Sequence, residues 1–475
     1  MKRKDKQIRP VRMNRQGERT KELSLFVEEI PVWYGSNGKV SPGWLSACEE
    51  ERNQTRDLME QIVAPTNLQR ACKQVVRNGG SSGVDGMTVK ELKEWLTKNI
   101  NQLQAQLLED RYLPQPVRSV RIPKPKGGYR QLGIPTVIDR LVQQAISQLL
   151  TRSYDKGFSP NSYGFRPKRN AHGALRQATR YVNEGKGIVV DIDLEKFFDE
   201  VNHHRLIWLL GTRIGDKRVI KLINRFLKTG IMEGGLSQQR IKGTPQGSPL
   251  SPLLSNIVLD ELDQELTRRG HCFVRYADDL QIFVGSQASA ERVMQGITAF
   301  IERKMKLKVN RGKSAIRKSH ETNFLGHSIL QGSRIGLSKS SEKRLKAKLK
   351  KITQRNRGVS LEQVLHELKP ILLGWLQYFR YAHMRSRLEK LEGWLRRRLK
   401  CFRLKQCRRT IGIVRFLYKL GVEKTLCWRT ALSGKGWWRL SMSPAVSIGM
   451  NNKWFSEKGF FSLTENYDKL HRKLL

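Results

Sequence analysis

The chain has 475 residues and is strongly basic, with 89 Lys and Arg against 43 Asp and Glu and a formal net charge of +46. Self-repulsion on this scale favours a polyanionic partner, so nucleic acid is the leading candidate and an anionic membrane surface the second. No apolar run approaches the roughly 18 residues that a membrane-spanning helix requires.

The N-terminal third of the chain predicts an extension, two helices and a hairpin. Residues 1–55 are basic and then mixed, and we expect them to be partly disordered; they lack the apolar segment of a secretory signal. Helical periodicity covers 58–76 and 92–107, on either side of a glycine-serine loop. Strands are predicted at 117–123 and 129–134, and the glycine-rich basic turn between them either approaches phosphates or is an ordinary hairpin loop.

A pair of adjacent carboxylates is the most informative feature of the middle of the chain. After an apolar helix predicted at 139–150, mixed α/β patterning continues to about residue 335. There Tyr276-Ala277-Asp278-Asp279 has apolar runs on both sides, which predicts a β-hairpin with both carboxylates at its tip. Like charges repel and Asp is a poor strand former, so folding alone does not favour this placement. An isolated Asp-Asp pair is more often an exposed acidic turn, but the pair also suits Mg²⁺, which binds carboxylates and substrate phosphates together.

A third carboxylate lies far upstream on another predicted strand. Residues 188–194 alternate carboxylates with aliphatic side chains, so Asp191 and Asp193 share one strand face. If this strand lies beside the hairpin, Asp193 completes a site for two metal ions, which stabilise the attacking and leaving oxygens of a phosphoryl transfer.

The C-terminal part is dominated by positive charge. Between Lys339 and Thr410, 22 Lys or Arg stand against 5 Asp or Glu, a net charge of +17. Narrow leucine stripes among these cations predict helices with one face on a small core and the other on a phosphate backbone. The last sixty or so residues interleave basic residues with aromatic ones, a mixture typical of RNA binding, where aromatic rings stack on unpaired bases. We expect about half of these rings to be core residues instead.

Several further motifs, in this order, give the chain a resemblance to the reverse transcriptase–maturases encoded by group II introns, and most of all to the compact bacterial kind without an endonuclease domain. Besides the two carboxylate segments, the motifs are Gly83-Val84-Asp85-Gly86, Ile122-Pro123-Lys124-Pro125, Arg130-Gln131-Leu132-Gly133-Ile134-Pro135, Tyr163-Gly164-Phe165-Arg166-Pro167 and Gly243-Thr244-Pro245-Gln246-Gly247-Ser248-Pro249-Leu250-Ser251-Pro252. The resemblance runs from about residue 60 to the C-terminus and implies an α+β fold, a right-hand polymerase followed by a basic maturase domain. It implies an N-terminal extension at 1–55, N-terminal helices and fingers at 56–150, a palm with an antiparallel sheet at 151–337, a helical thumb at 338–400 and a maturase domain at 401–475.

The resemblance also implies residue roles. Asp193, Asp278 and Asp279 match the catalytic triad that binds two Mg²⁺ ions, whereas Asp191 is expected to be a structural acid. The remaining matches are residues of the nucleotide site. Lys124 and Arg130 match residues that hold the triphosphate, and Lys313 matches the lysine that protonates pyrophosphate. Phe198 matches the residue that selects the sugar, with Phe197 as a core residue, while Gln246 and Gly247 match the loop that supports the template and nascent pair. Ser248 stands where relatives commonly have a second glycine, and Phe324-Leu325-Gly326 matches the turn that grips the primer.

The implied function is RNA-directed DNA polymerisation combined with binding of the intron RNA to assist splicing and mobility by target-primed reverse transcription. The implied partners are intron RNA, an RNA template, a DNA primer or target and dNTPs, with no membrane, in a cytoplasmic ribonucleoprotein that meets the nucleoid when it acts on DNA. A reverse transcriptase recruited to repair or defence without an intron stays open, as does a splicing cofactor that binds RNA only. Phe198 argues against an RNA-dependent RNA polymerase, since its ring would clash with a ribose 2′-hydroxyl. No His/Cys cluster of nuclease type follows the thumb, so we expect no second-strand cleavage.

Overall fold

The computed structural model describes residues 55–123, 127–233, 236–238, 242–244, 247–330, 332 and 334–472. The extension predicted for residues 1–55 therefore lies, apart from Thr55, outside the described residues. None of the helices in these ranges has both the length and the apolar character needed to cross a bilayer.

The N-terminal part contains three helices and a four-stranded sheet. The helices are α1 (Leu58–Val63), α2 (Pro65–Asn78) and α3 (Leu92–Leu108). The periodicity of residues 58–76 predicts one helix, but the chain forms two, because Pro65 has no amide hydrogen and Ala64 before it is extended at ψ 133°. Strands β1 (Val117–Pro123) and β2 (Tyr129–Ile134) have the predicted bounds and pair antiparallel, with Ile122 opposite Arg130. Strands β4 (Ile231–Glu233) and β5 (Leu236–Gln238) extend this sheet in the order β2-β1-β4-β5.

A second sheet, antiparallel throughout, has the order β6-β7-β3-β8 and carries both carboxylate segments. Its strands are β3 (Ile188–Ile192), β6 (Cys272–Tyr276), β7 (Asp279–Val284) and β8 (Ala315–Lys318). The helices between α3 and β8 are α4 (Val137–Tyr154), α5 (Ala171–Asn183), α6 (Phe197–Glu200), α7 (His203–Gly211), α8 (Lys217–Lys228), α9 (Ser251–Arg268) and α10 (Gln287–Arg303).

The two faces of this sheet belong to different cores. On one face of the sheet, side chains such as Val190 and Ile282 pack with α9 and α10 in the larger core. The opposite face packs with α5 and with the C-terminal helices through Val189, Val274 and Phe283. Because strand residues alternate between faces, Asp191 and Asp193 share the second face with Val189. The carboxylates therefore lie on the face of the sheet that α5 and the C-terminal helices cover only in part.

The C-terminal helices form one unit that shares a core. Strands β9 (His327–Ile329) and β10 (Ile335–Leu337) precede α11 (Lys339–Ile352), α12 (Leu361–Phe379) and α13 (Arg385–Gln406). Six shorter helices follow: α14 (Thr410–Lys419), α15 (Lys424–Ala431), α16 (Trp437–Leu440), α17 (Pro444–Gly449), α18 (Asn452–Glu457) and α19 (Leu463–Arg472). Position 400, where the sequence suggested that thumb and maturase domain separate, falls inside α13.

The last helix returns to the thumb helices and is fixed there by buried polar contacts. The Glu392 carboxylate on α13 is 2% exposed and accepts hydrogen bonds from the amide and hydroxyl of Thr464, both at 3.0 Å. The Tyr467 hydroxyl donates to the carbonyl of Ala382 at 2.9 Å. Among the tail aromatics, Trp454, Phe455 and Tyr467 are buried, Trp437 packs partly buried against the core, and Trp428 and Trp438 are exposed. The expectation that about half of them are core residues is confirmed.

Candidate active site

The Tyr276–Asp279 segment forms the predicted hairpin. Strands β6 and β7 pair antiparallel up to a closing pair of Tyr276 and Asp279, so the turn consists of Ala277 and Asp278. Ala277 adopts φ 56°, in the left-handed region that a tight two-residue hairpin needs and that residues other than glycine rarely take. Asp278 thus lies at the tip and Asp279 is the first residue of β7.

The register between β3 and β7 brings the third carboxylate to the hairpin. Asp191 lies opposite Gln281, and Ile192 lies opposite Leu280. Continuing the same antiparallel register by one residue puts Asp193 beside Asp279. The Asp193 carbonyl accepts a hydrogen bond from the Asn310 amide at 2.8 Å, and the Ser314 hydroxyl accepts one from the Asp193 amide at 3.0 Å, which fixes the end of the strand. The prediction that this strand lies beside the hairpin is confirmed, and Asp193 is the first residue after the end of β3.

The three carboxylates and one lysine make a strongly coupled electrostatic group. Desolvation by the surrounding protein is the largest cause that raises the pKa of the Asp279 carboxyl to about 6, and the negative charges of Asp278, Asp191 and Asp193 also contribute to this rise. The Asp279 side chain is nevertheless exposed to solvent, because Asp279 is the first residue of β7 and lies beside the turn. Lys313 opposes the shift, and its ammonium lies 3.1 Å from both carboxylate oxygens of Asp193. A carboxyl whose pKa is raised by neighbouring acids is expected where cations bind.

Asp191 lies two residues before Asp193 and is part of β3. Arg317 on β8 donates to its carboxylate at 2.9 Å, so the acid links neighbouring strands. Burial raises the pKa of Asp191, Arg317 lowers it and Asp193 raises it further.

A buried arginine fixes the hairpin turn from behind. Arg275 is 1% exposed, and its guanidinium pairs with the carboxylate of Asp263 on α9, which is 0% exposed, at 2.7 and 2.5 Å. Its third nitrogen donates to the side-chain oxygen of Asn256 at 3.0 Å and to the carbonyl of Ala277 at 2.9 Å. Our sequence reasoning missed this network. The signal was an arginine inside the apolar run of β6, because a charge at a buried strand position requires a partner.

The glycine of the Tyr163-Gly164-Phe165 motif allows a second close contact with the turn. A Cβ atom on Gly164 would lie 2.2 Å from the amide nitrogen of Ala277, so only glycine fits here. Asn256 donates to the Gly164 carbonyl at 2.9 Å, which joins this segment to the arginine network. The turn that carries Asp278 is therefore held from two sides.

Comparison with known proteins agrees with this architecture. Residues 122–329 match the family of reverse transcriptases (RNA-dependent DNA polymerases), and residues 342–418 match the maturase-specific domain of group II introns. Protein YkfC of Escherichia coli (strain K12) is 31% identical over 361 residues, which cover 67% of this chain and 94% of YkfC. The chain belongs to the group II intron-encoded reverse transcriptase–maturases.

Two intron-encoded relatives match a smaller part of their own length. The group II intron-encoded protein LtrA of Lactococcus lactis is 31% identical over 340 residues, 57% of this chain and 56% of LtrA. The putative COX1/OXI3 intron 2 protein of Saccharomyces cerevisiae is 27% identical over 332 residues, 58% of this chain and 38% of that protein. This reverse transcriptase–maturase thus spans nearly all of YkfC and about half of LtrA.

A cleft of about 630 Å³ lies between the N-terminal helices and the reverse transcriptase palm. Its lining includes Arg140, Phe165, Phe198 and Gly247. Phe197 is 2% exposed, so its assignment to the core is confirmed, whereas Phe198 is only partly buried and meets it edge-on at 5.4 Å. As the sequence predicted, Phe197 is the core residue, and Phe198 is the ring that reaches the cleft.

The other nucleotide-site residues are only partly described. Arg130 is exposed on β2, while Lys124 and Gln246 lie outside the described residues. Gly247 has φ 115°, and a Cβ atom there would lie 3.0 Å from the Gly133 carbonyl, so the loop approaches β2 closely. Ser248 is buried and its hydroxyl donates to Gln143 at 2.6 Å, a contact that glycine could not make.

Reverse transcriptases of this family use divalent metal ions. Within the described ranges, no three or more His, Cys, Asp or Glu side chains are arranged as a ready-made metal site. Here Lys313 instead neutralises Asp193. The donor set still fits a hard cation, because a divalent ion would relieve the repulsion that raises the pKa of Asp279.

Proposed function

We propose that this reverse transcriptase–maturase copies RNA into DNA at Asp193, Asp278 and Asp279, and that it binds its intron RNA through the basic C-terminal helices. The observation that carries the proposal is the register of β3 and β7, which brings a carboxylate at the end of one strand beside two at a fixed hairpin turn.

In this proposal, the three carboxylates hold two Mg²⁺ ions. Bound there, the ions would supply the charge that stabilises the attacking and leaving oxygens of the transferred phosphoryl group. Arg275 and Gly164 keep the Ala277–Asp278 turn in place, so that the carboxylates need no reorganisation before reaction.

The neighbouring side chains take the remaining roles. Lys313, which pairs with Asp193, would donate a proton to the departing pyrophosphate. Phe198 lies in the cleft where the ring can exclude a ribose 2′-hydroxyl, and Arg130 with Lys124 and Gln246 would hold the dNTP and the template pair.

The outer face of α11 supports the RNA-binding part of the proposal. Leu345 and Leu349 are buried, whereas the cations around them are exposed, namely Lys339, Lys343, Arg344, Lys348, Lys350 and Lys351. Such a face fits the phosphate backbone of an RNA, and we propose the group II intron as that RNA and a cytoplasmic ribonucleoprotein as its working form.

The test is primer extension on an RNA template with Mg²⁺ and dNTPs. Asp278→Asn should reduce extension by orders of magnitude, since it removes one ligand charge from the metal site. Asp199→Asn is the matched control, because Asp199 is an exposed acid close to Asp193 in the chain but outside the carboxylate group. Near-normal extension by Asp278→Asn would refute the assignment of the active site.

A further inference from the structure

A groove of about 490 Å³ lies along the exposed side of helix α5 and is lined by four cations and no carboxylate. The cations are Lys168, Arg169, Arg176 and Arg180. We call it the α5 groove. The sequence motifs singled out above do not include these four residues.

The packing of α5 fixes the direction of its arginines. Ala174, Leu175 and Ala178 are fully buried against the palm sheet. Arg176 and Arg180 are one helical turn apart on the other side of the helix and are exposed. In the described part of the chain, neither arginine forms an ion pair. Their charges are therefore available to a ligand, and their mutual repulsion is relieved by an anion.

One end of the groove adjoins the catalytic hairpin. The Arg169 guanidinium stacks over the Tyr163 ring at 5.2 Å and donates to the Pro160 carbonyl at 2.5 Å. The Tyr163 amide in turn donates to the carbonyl of Arg275 on β6 at 2.9 Å. A ligand in the α5 groove thus contacts Tyr163, whose amide is hydrogen-bonded to β6. Strand β6 leads into the Ala277–Asp278 turn.

The helix that forms the groove also touches the thumb. His172 donates through Nε2 to the Tyr378 carbonyl on α12 at 2.8 Å, and its ring meets Tyr381 edge-on at 4.8 Å. Helix α5 packs on the same face of the palm sheet that carries Asp193 and Asp279. The groove therefore lies on the carboxylate side of the sheet, beside the contact between palm and thumb.

We propose that the α5 groove binds the sugar-phosphate backbone of the template–primer duplex after it leaves the active site. The inference rests on the proposed function, because the hairpin must be where the primer end is extended. A row of cations without acids suits the evenly spaced charges of a phosphodiester chain. Both strands of the duplex offer this chemistry, and the experiment distinguishes them.

The first experiment measures the salt dependence of duplex binding. The double variant Arg176→Ala/Arg180→Ala should bind an RNA-template/DNA-primer duplex more weakly, with a slope of log K against log salt that is shallower by about 1.4 to 1.8, for two lost phosphate contacts. The matched control is Arg292→Ala/Arg303→Ala, two exposed arginines on α10, which packs on the opposite face of the palm sheet. The control should keep the wild-type slope. Equal slopes for all three proteins would overturn the proposal.

The second experiment assigns the strand. Neutral methylphosphonate linkages are placed one at a time in the primer strand, or in a DNA template strand, of the duplex. A linkage that weakens binding to the wild type but not to Arg176→Ala/Arg180→Ala identifies the phosphate at the groove. If no linkage in either strand behaves in this way, the groove does not hold the duplex.

Two further outcomes separate this proposal from the proposed function. A double variant that loses affinity for intron RNA, yet binds the duplex like the wild type, would overturn the α5 groove assignment alone. A wild-type protein that extends no primer on RNA would refute the polymerase site itself. Melting temperatures are measured in parallel and should match the wild type, because Arg176 and Arg180 are exposed.

Discussion

Breaking the buried ion pair behind the hairpin should damage both stability and polymerisation. Asp263→Leu keeps the branched shape of the side chain but leaves the Arg275 guanidinium, 1% exposed, without its carboxylate. The lost bonds, at 2.7 and 2.5 Å, are charge-assisted and contribute about 1.5–3 kcal/mol each. Their sum agrees with the loss of about 3–5 kcal/mol expected when one partner of a buried pair is removed. Urea denaturation measures this loss.

A double variant separates stability from positioning. Arg275→Met/Asp263→Leu removes both charges, so most of the lost stability should return. Extension should stay roughly 10- to 100-fold below wild type, because the Ala277 carbonyl has lost its donor at 2.9 Å and the turn with Asp278 can shift. Lys98→Ala, which breaks an exposed pair with Glu94 on α3, is the control and should cost at most about 1 kcal/mol. Full recovery of extension in the double variant, or a cost below about 1 kcal/mol for Asp263→Leu, would refute the reasoning.

Three other outcomes are expected. Phe198→Ala should relax discrimination against rNTPs in single-nucleotide incorporation with only a modest change in melting temperature; unchanged selectivity would remove its role in sugar selection. Burial lowers the pKa of His327 from 6.5 to about 4, so protonation favours the unfolded chain. In urea denaturation, the stability of the wild type relative to His327→Leu should therefore fall by about 2 kcal/mol between pH 7.5 and pH 5, since other titrating groups contribute equally to both proteins. Deleting α19 (Leu463–Arg472) should impair primer extension as well as splicing, because the Glu392 carboxylate on the thumb helix loses its hydrogen bonds from Thr464. Loss of splicing with unchanged primer extension would contradict this prediction.

Local patterns in the sequence were sufficient for much of the fold. Strands β1 and β2 were predicted as short segments on either side of a glycine-rich turn, with the bounds that the structure has. The hairpin at Tyr276–Asp279 followed from the apolar runs around it. The order of the motifs indicated the family. These features depend on short-range periodicity and on residue types with narrow uses, which a sequence displays directly.

Only the tertiary structure decided which side chains meet. The approach of Asp193 to Asp279 depends on the register of β3 and β7, and a shift of one residue would turn Asp193 to the opposite face. The pairing of Arg275 with Asp263 depends on how α9 packs behind the sheet. The tail and the thumb share one core, and Glu392 is buried where they meet. No local feature of the sequence distinguished Glu392 from an exposed surface acid. Contacts between distant segments arise from packing, and packing leaves no periodic pattern in the sequence of either segment. The sequence therefore indicated the chemistry of this protein, and the fold determined its geometry.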